Sequence, residues 1–324
     1  MSRKTVLVTG ANGYIGGAIA RAFNRAGWRT VGLIRKPEYA SSLARQEIHP
    51  VIGSPDDLSF LDGLGEVVFD VVVSNTEDWS NIFGHYDNVL VMLHKIGEQR
   101  SRVGFRPLLM FTSGCKDYGH MTEKHGDEGL VAHTEESPLN PPLMLSPRTN
   151  LGVALLNDAG RNFDATVLRP TIVYGYSSSL YGGLFEQAGR SLGTLEIAGD
   201  PDATMHSLHV DDCAEAYVAL AEHKDRRAVA GQAFNISNAR YETAREIGGA
   251  LAKSYGLKLT FSRPTEDVSP GTFPSLANFW QWVSSDKLRA VTGWKERKSL
   301  FAEGINEYRL AYEAWTKSPE LKVR

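Results

Sequence analysis

Cysteine is nearly absent from this chain: Cys115 and Cys213 are the only two in 324 residues. Two isolated thiols exclude a disulfide framework and leave no cysteine-based metal site, so a reducing compartment and no metal are expected. An excess of charge of one sign is also missing, with 35 basic against 38 acidic residues. That balance argues against a nucleic-acid footprint or an anionic membrane surface as partner. Long apolar runs are lacking as well. The N-terminal stretch Thr5 to Val8 is too short for a secretory signal or a membrane span. The composition predicts a soluble, unprocessed, cytoplasmic protein.

What is present is an alternation of short apolar runs with helical patterns. The runs TVLVTG, TVGLIR, HPVIG, VVFDVVVSN, PLLMFTSG and ATVLRPTIVYG are continuously apolar rather than alternating. Such runs fit strands buried on both faces, hence a parallel sheet covered by helices. Between the first two, Ile15, Ala18, Ile19, Ala22, Phe23 and Ala26 recur at helical spacing, and Gly27 supplies the stop. The fold class implied is α/β, a doubly wound Rossmann sheet with ligands at the carboxyl ends of its strands. From Tyr176 the composition turns rich in glycine and serine, and SPGTFPSLANFWQW later brings proline with clustered aromatics. AFNIS, residues 233–237, reads as a strand returning to the sheet. The expected organisation is therefore interleaved: 1–175 and 203–238 form the dinucleotide-binding domain, 176–202 and 239–324 a smaller substrate-binding subdomain.

VTGANGYIGGAIA places Gly10, Gly13 and Gly16 between a predicted strand and a predicted helix. Glycines there let the backbone turn tightly and approach a pyrophosphate, which rests on the helix N-terminus. An acidic residue about twenty positions on would bind the ribose 2′-hydroxyl of NAD. Here the second strand ends in Arg35-Lys36. Two cations suit a 2′-phosphate, so NADP is expected in preference to NAD.

The spacing TGxxGxxG, together with FTSGCKDYG, LRPTIVYG and LHVDDCAEA, resembles the extended short-chain dehydrogenase/reductase superfamily, the NAD-dependent epimerase/dehydratase group. The resemblance spans nearly the whole chain. It implies further cofactor contacts at Asn12, Tyr14, Ile15, Ser74, Asn75, Thr112, Arg148, Pro170 and Val173. Homodimers are common in that superfamily, so a homodimer is a possible assembly.

The catalytic pattern of the superfamily is broken. Its members use a serine or threonine, a tyrosine, and a lysine four residues after the tyrosine, because a carbonyl oxygen must gain a proton as hydride arrives. Counted back from Tyr118-Gly119, the serine position falls on Gly114, beside Ser113. The segment NPPLMLSPRTNLG, residues 140–152, contains neither tyrosine nor lysine. Arg148 stands where an atypical branch carries an arginine, and Met144 where the tyrosine would be. Arginine can hold an oxyanion but is too basic to act as a general acid at neutral pH. Candidate catalytic residues are Ser113, Arg148, Tyr118 and His206, with Cys115, Lys116, Tyr174 and Tyr176 as substitutes whose packing roles are equally open.

Sugar-nucleotide members carry Arg-Asp just before the segment matched by LHVDD; this chain has Met205-His206. Without that arginine a diphosphate would be desolvated unpaired. The aromatic residues Trp79, Phe83, Tyr86, Phe273, Phe279, Trp280 and Trp282 favour a small, mainly apolar substrate, unless they only pack a core. Three functions fit: an NADP(H)-dependent reductase or epimerase with a displaced proton donor, a non-redox isomerase, lyase or cyclase that keeps the nucleotide pocket, and a nucleotide-sensing binding protein.

Overall fold

The computed structural model describes residues 3–65, 67–101, 106–160, 162–263 and 278–317. Seven strands form the central sheet: β1 (Thr5–Thr9), β2 (Arg29–Ile34), β3 (His49–Ile52), β4 (Val71–Ser74), β5 (Leu108–Thr112), β6 (Asp164–Pro170) and β11 (Gln232–Ile236). Their spatial order is β11-β6-β5-β4-β1-β2-β3. Every neighbouring pair is parallel. The order reverses direction between β1 and β4, which opens the crevice where ligands of such sheets sit.

The continuous apolar runs are explained by two cores, one on each face. Val6, Val8, Val71 and Val73 pack against helices α1 (Tyr14–Arg25) and α7 (Val210–Ala221), with Ile19, Phe23, Cys213 and Tyr217. Their neighbours Leu7 and Val72 face α4 (Ile82–Ser101) and α5 (Ser146–Asp158), with Val89, Met92, Leu93 and Leu155. The inner strands feed both cores, so no polar face remains there to make an alternating pattern, while the edge strand β3 contributes only Val51.

ATVLRPTIVYG is not one strand. β6 ends at Pro170, and Ile172–Tyr174 forms β7, which pairs instead with β10 (Ser207–His209). A third core, containing Phe185, Leu195, Ile197, Leu251 and Phe301, lies outside the sheet. It is built from α6 (Gly182–Arg190), β8 (Thr194–Ala198), α8 (Ala244–Tyr255), β13 (Lys258–Ser262) and the helix Ile305–Lys317. A capping box between Thr243 and Glu246 starts α8, and Gly256 at φ 68° ends it. The segment 233–237 does return to the sheet, beside β6. Among the described residues no helix is long and apolar enough to cross a membrane.

Candidate functional site

The glycine loop follows β1 into α1 and is shaped by backbone contact. Gly10 adopts φ 64°, and a Cβ there would lie 2.6 Å from the Asn75 carbonyl oxygen. A Cβ on Gly16 would overlap the Gly10 carbonyl oxygen, and one on Gly13 would approach it to 3.1 Å. No side chain caps α1 at Gly13, leaving its first turn of N–H groups for an anion. The cradle fits a dinucleotide pyrophosphate because only glycine fits its walls.

A cavity of about 330 Å³ runs from Gly10, Asn12 and Gly13 to Arg35 and Lys36, and past Asn75. Arg35 makes no hydrogen bond or ion pair among the described residues, whereas Lys36 meets Glu38 at 3.7 Å on the surface. The sequence reading missed Asp56, Glu77, Asp78 and His85 on the same cavity. They lie in the loops after β3 and β4 and in the first turn of α4, and the loops are where the carboxyl-end rule places ligand contacts.

The remaining predicted cofactor residues surround this crevice but do not line that cavity. Tyr14 lines an adjoining cavity of about 460 Å³. Its hydroxyl donates to the Gly175 carbonyl at 2.6 Å. Ile15 packs on the sheet core. Thr112 Oγ1 shares a 2.8 Å hydrogen bond with the Tyr217 hydroxyl, while Asn75, which does line the cavity, is fixed by its N–H to Thr9 Oγ1 at 2.9 Å. Ser74, Pro170 and Val173 are buried.

The corner after β5 is organised around Asp117, which is 1% exposed. Ser113 Oγ donates to Asp117 Oδ2 at 2.5 Å, and Arg169 Nε to the same oxygen at 3.2 Å. Thr149 Oγ1 donates to Oδ1 at 2.9 Å, and Arg148 reaches it at 3.5 Å. Arg148 also binds Glu77 Oε1 at 3.0 Å, while Tyr86 donates to that oxygen at 3.4 Å. Burial opposes the Arg148 charge, but Asp117 and Glu77 outweigh it and hold the guanidinium above its ordinary value.

Ser113 and Arg148 are thus brought together, but through Asp117, with the serine hydroxyl already spent on a carboxylate. Gly114 lies beneath Arg148: a Cβ there would sit 3.1 Å from a guanidinium nitrogen. The volume a serine would occupy at position 114 is taken by the arginine.

Tyr118 and His206 are not brought into this corner as available proton donors. The Tyr118 hydroxyl donates to Asn235 Oδ1 at 2.7 Å and accepts from Arg169 at 3.1 Å. Burial pushes its pKa well above the ordinary tyrosine range. His206 accepts the Val283 N–H on Nδ1 at 3.2 Å and donates from Nε2 to the Asn238 carbonyl at 3.0 Å. Burial lowers its pKa to about 4, so it is a neutral core histidine with both nitrogens used. This corrects the expectation of His206 as a proton donor.

The substitutes divide in the same way. Cys115 is buried against the Arg169 carbonyl at 2.9 Å, and Tyr174 donates to the Ser299 carbonyl at 2.7 Å. Tyr176, half exposed, donates to Asp211 at 2.7 Å, and burial raises its pKa to about 12. Only Lys116 keeps a head group with no hydrogen bond or ion pair among the described residues. Of the aromatics, Trp79 and Phe83 are exposed, Tyr86 is core, and Phe279, Trp280 and Trp282 are half-buried. Phe273 lies outside the described residues. Among the described residues no group of three or more His, Cys, Asp or Glu side chains is placed to hold a metal.

A doubly wound sheet with a glycine cradle at its first crossover defines a dinucleotide-binding protein. Over residues 6–237 the sequence matches the NAD dependent epimerase/dehydratase family, and the chain belongs to it. It is similar to the spore coat polysaccharide biosynthesis protein SpsK of Bacillus subtilis, 22% identical over 94% of this chain and 96% of that one. Two solved structures share the fold. The dTDP-glucose 4,6-dehydratase of Bacillus anthracis, in complex with NAD, has a TM-score of 0.77 at 18% identity, covering 98% of this chain and 100% of that one. The UDP-glucose 4-epimerase of Thermotoga maritima, with UDP-glucose, has a TM-score of 0.76 at 16% identity, covering 97% and 100%.

Proposed function

We propose that the protein is an NADP(H)-dependent carbonyl reductase acting on a small, mainly apolar molecule. The observation that carries this reading is the glycine-loop cavity, where Arg35 makes no hydrogen bond or contact ion pair beside Lys36 and, among the described residues, only Asp78 bears on its charge from a distance. A 2′-phosphate would give Arg35 a partner in direct contact, through charge-assisted hydrogen bonds. The bound dinucleotide supplies hydride. The chain's own residues do the rest: the glycine cradle seats the pyrophosphate, Asn75 is held at the crossing by Thr9, and Arg148 presents a fixed positive charge beside Gly114.

Met205 and His206 support a substrate other than a sugar nucleotide. Met205 packs in the third core and His206 is bonded to backbone on both sides, so neither offers a cation to a diphosphate. The SpsK, dehydratase and epimerase relatives favour the opposite expectation, a sugar-linked substrate. The locked hydroxyls of Ser113 and Tyr118 favour a second reading, non-redox catalysis with the nucleotide kept for shape.

The deciding experiment is calorimetric titration of the protein with NADPH and NADH, repeated with Arg35→Asp. NADPH should bind about tenfold or more tightly than NADH, and the substitution should erase the difference. Equal affinities in the wild type would overturn the NADP reading. Nicotinamide absorbance followed against apolar aldehydes and ketones, and against UDP- and dTDP-glucose, then separates reductase, non-redox and sugar-nucleotide chemistry.

A further inference from the structure

The structure leaves one amine in the corner from which the tyrosine is missing. Lys116 lies on the 3₁₀ turn Cys115–Tyr118, two residues past Gly114. Its neighbours on that turn face inward: Cys115 to the Arg169 carbonyl, Asp117 to Ser113 and the arginines, Tyr118 to Asn235. Lys116 is directed instead to the seam with the smaller subdomain, where Nζ stands 4.6 Å over the Phe279 ring. The His120 ring lies 5.5 Å from that of Phe279 and 5.4 Å from that of Trp280. His120 Nδ1 accepts the Trp280 backbone N–H at 3.1 Å, so the neutral ring carries its proton on Nε2.

Two donors in this seam stand without an acceptor. Lys116 has no carboxylate or other hydrogen-bonding partner among the described residues. The buried indole N–H of Trp280 has none either. Buried polar groups are rarely left unpaired, and an unpaired donor in a seam between two subdomains marks where a ligand oxygen would fit. The charged group that bears on Lys116 is Arg148, whose positive charge repels it; the titratable ring of His120 packs on Phe279, the ring under Nζ. Burial first, and Arg148 second, lower its pKa from the ordinary lysine value, toward the range where an ammonium can give up a proton.

We propose that Lys116 is the proton donor of this enzyme, delivering its ammonium proton to the carbonyl oxygen of an aldehyde or ketone whose apolar body rests on Phe279 and Trp280. This rests on the reductase reading above. In the step, the carbonyl π bond breaks, its carbon takes the hydride from the reduced dinucleotide and its oxygen takes the Nζ proton. An alcohol, an oxidised dinucleotide and a neutral amine result, and the amine regains its proton from water. Arg148, fixed by Asp117 and Glu77, stabilises the oxygen as charge develops but keeps its own proton.

The test uses the full chain with NADPH and cinnamaldehyde or a saturated aliphatic aldehyde. Lys116→Gln should lower kcat about a hundredfold, with NADPH affinity within twofold of wild type. Lys116→Arg should be equally slow, since it keeps the charge but holds its proton. Independently, after reductive methylation with 13C-formaldehyde, the dimethyl-lysine signal absent from Lys116→Gln should titrate below the other lysines. A kcat loss smaller than tenfold, or a Lys116 signal titrating with the rest, overturns the proposal. A wild type that fails to bind NADPH, or to reduce any carbonyl tested, overturns the reductase reading and the proposal with it, a result distinct from an unaffected Lys116 variant.

Discussion

The two ends of the crevice are built on opposite plans. At the glycine loop the chain removes side chains: Gly10, Gly13 and Gly16 leave a backbone cradle, and the walls open into a cavity of about 330 Å³. At the corner after β5 it adds them. Glu77, Arg148, Asp117 and Arg169 form a chain of alternating charge, extended by Tyr86 at one end and by Tyr118 and Asn235 at the other. One end is shaped by what a ligand needs, the other by what the protein needs to bury its own charges. The loss of the usual serine, tyrosine and lysine is therefore a replacement rather than a gap: Arg148 fills the volume above Gly114, and Asp117 engages the hydroxyl of Ser113.

The largest test of this contrast is Asp117→Asn. The variant keeps the shape but leaves Arg148 and Arg169 without a shared carboxylate, and breaking a buried ion pair costs about 3–5 kcal/mol. Denaturant unfolding should show that loss, while NADPH affinity measured under folded conditions should change less than about threefold. A parallel collapse of cofactor binding would show the two ends to be one unit.

His206, outside the charged corner, gives the next effect. Its folded pKa of about 4 lies below its ordinary value of 6.5. Between those limits the unfolded chain binds more protons, so stability rises with pH over that window and is complete above it. As pH falls from 6.5 to 4 the protein should lose about 3 kcal/mol through this residue. His206→Gln should flatten that slope in unfolding measured across the window. An unchanged slope would mean that the ring titrates in the folded state.

Much of the fold was legible because its signals are local. The inner sheet strands are short apolar runs feeding two cores, and α1 shows its buried stripe within one helix. The break of ATVLRPTIVYG at Pro170 was not legible, because it reflects the competing partners of β6 and β7 rather than propensity. The glycine loop was readable for the same local reason as the strands. The corner was not: Asp117 reads as one acid between Lys116 and Tyr118, yet its partners Thr149 and Arg169 lie 32 and 52 residues away. Glu77 is 71 residues from Arg148. No spacing rule links them, and a histidine in MHSLHVDD gives no sign whether its nitrogens meet backbone or ligand.

Gly114 provides the smallest and most discriminating effect. Its backbone, at φ −177° and ψ 159°, is extended and open to any residue, so conformational freedom is not why glycine stands there. What a side chain would meet is the Arg148 guanidinium at 3.1 Å. A guanidinium at the end of a flexible side chain could ordinarily swing away, but here Glu77 and Asp117 hold it. Gly114→Ala should therefore cost about 1 kcal/mol as mild overpacking. Melting should fall by about 2 °C. If the corner is an ionic lattice first, removing the clamp should relieve the clash: in a Glu77→Gln background the same substitution should cost less than half as much. A full cost in that background would place the restraint on Arg148 in the helix that carries it rather than in its ion pairs.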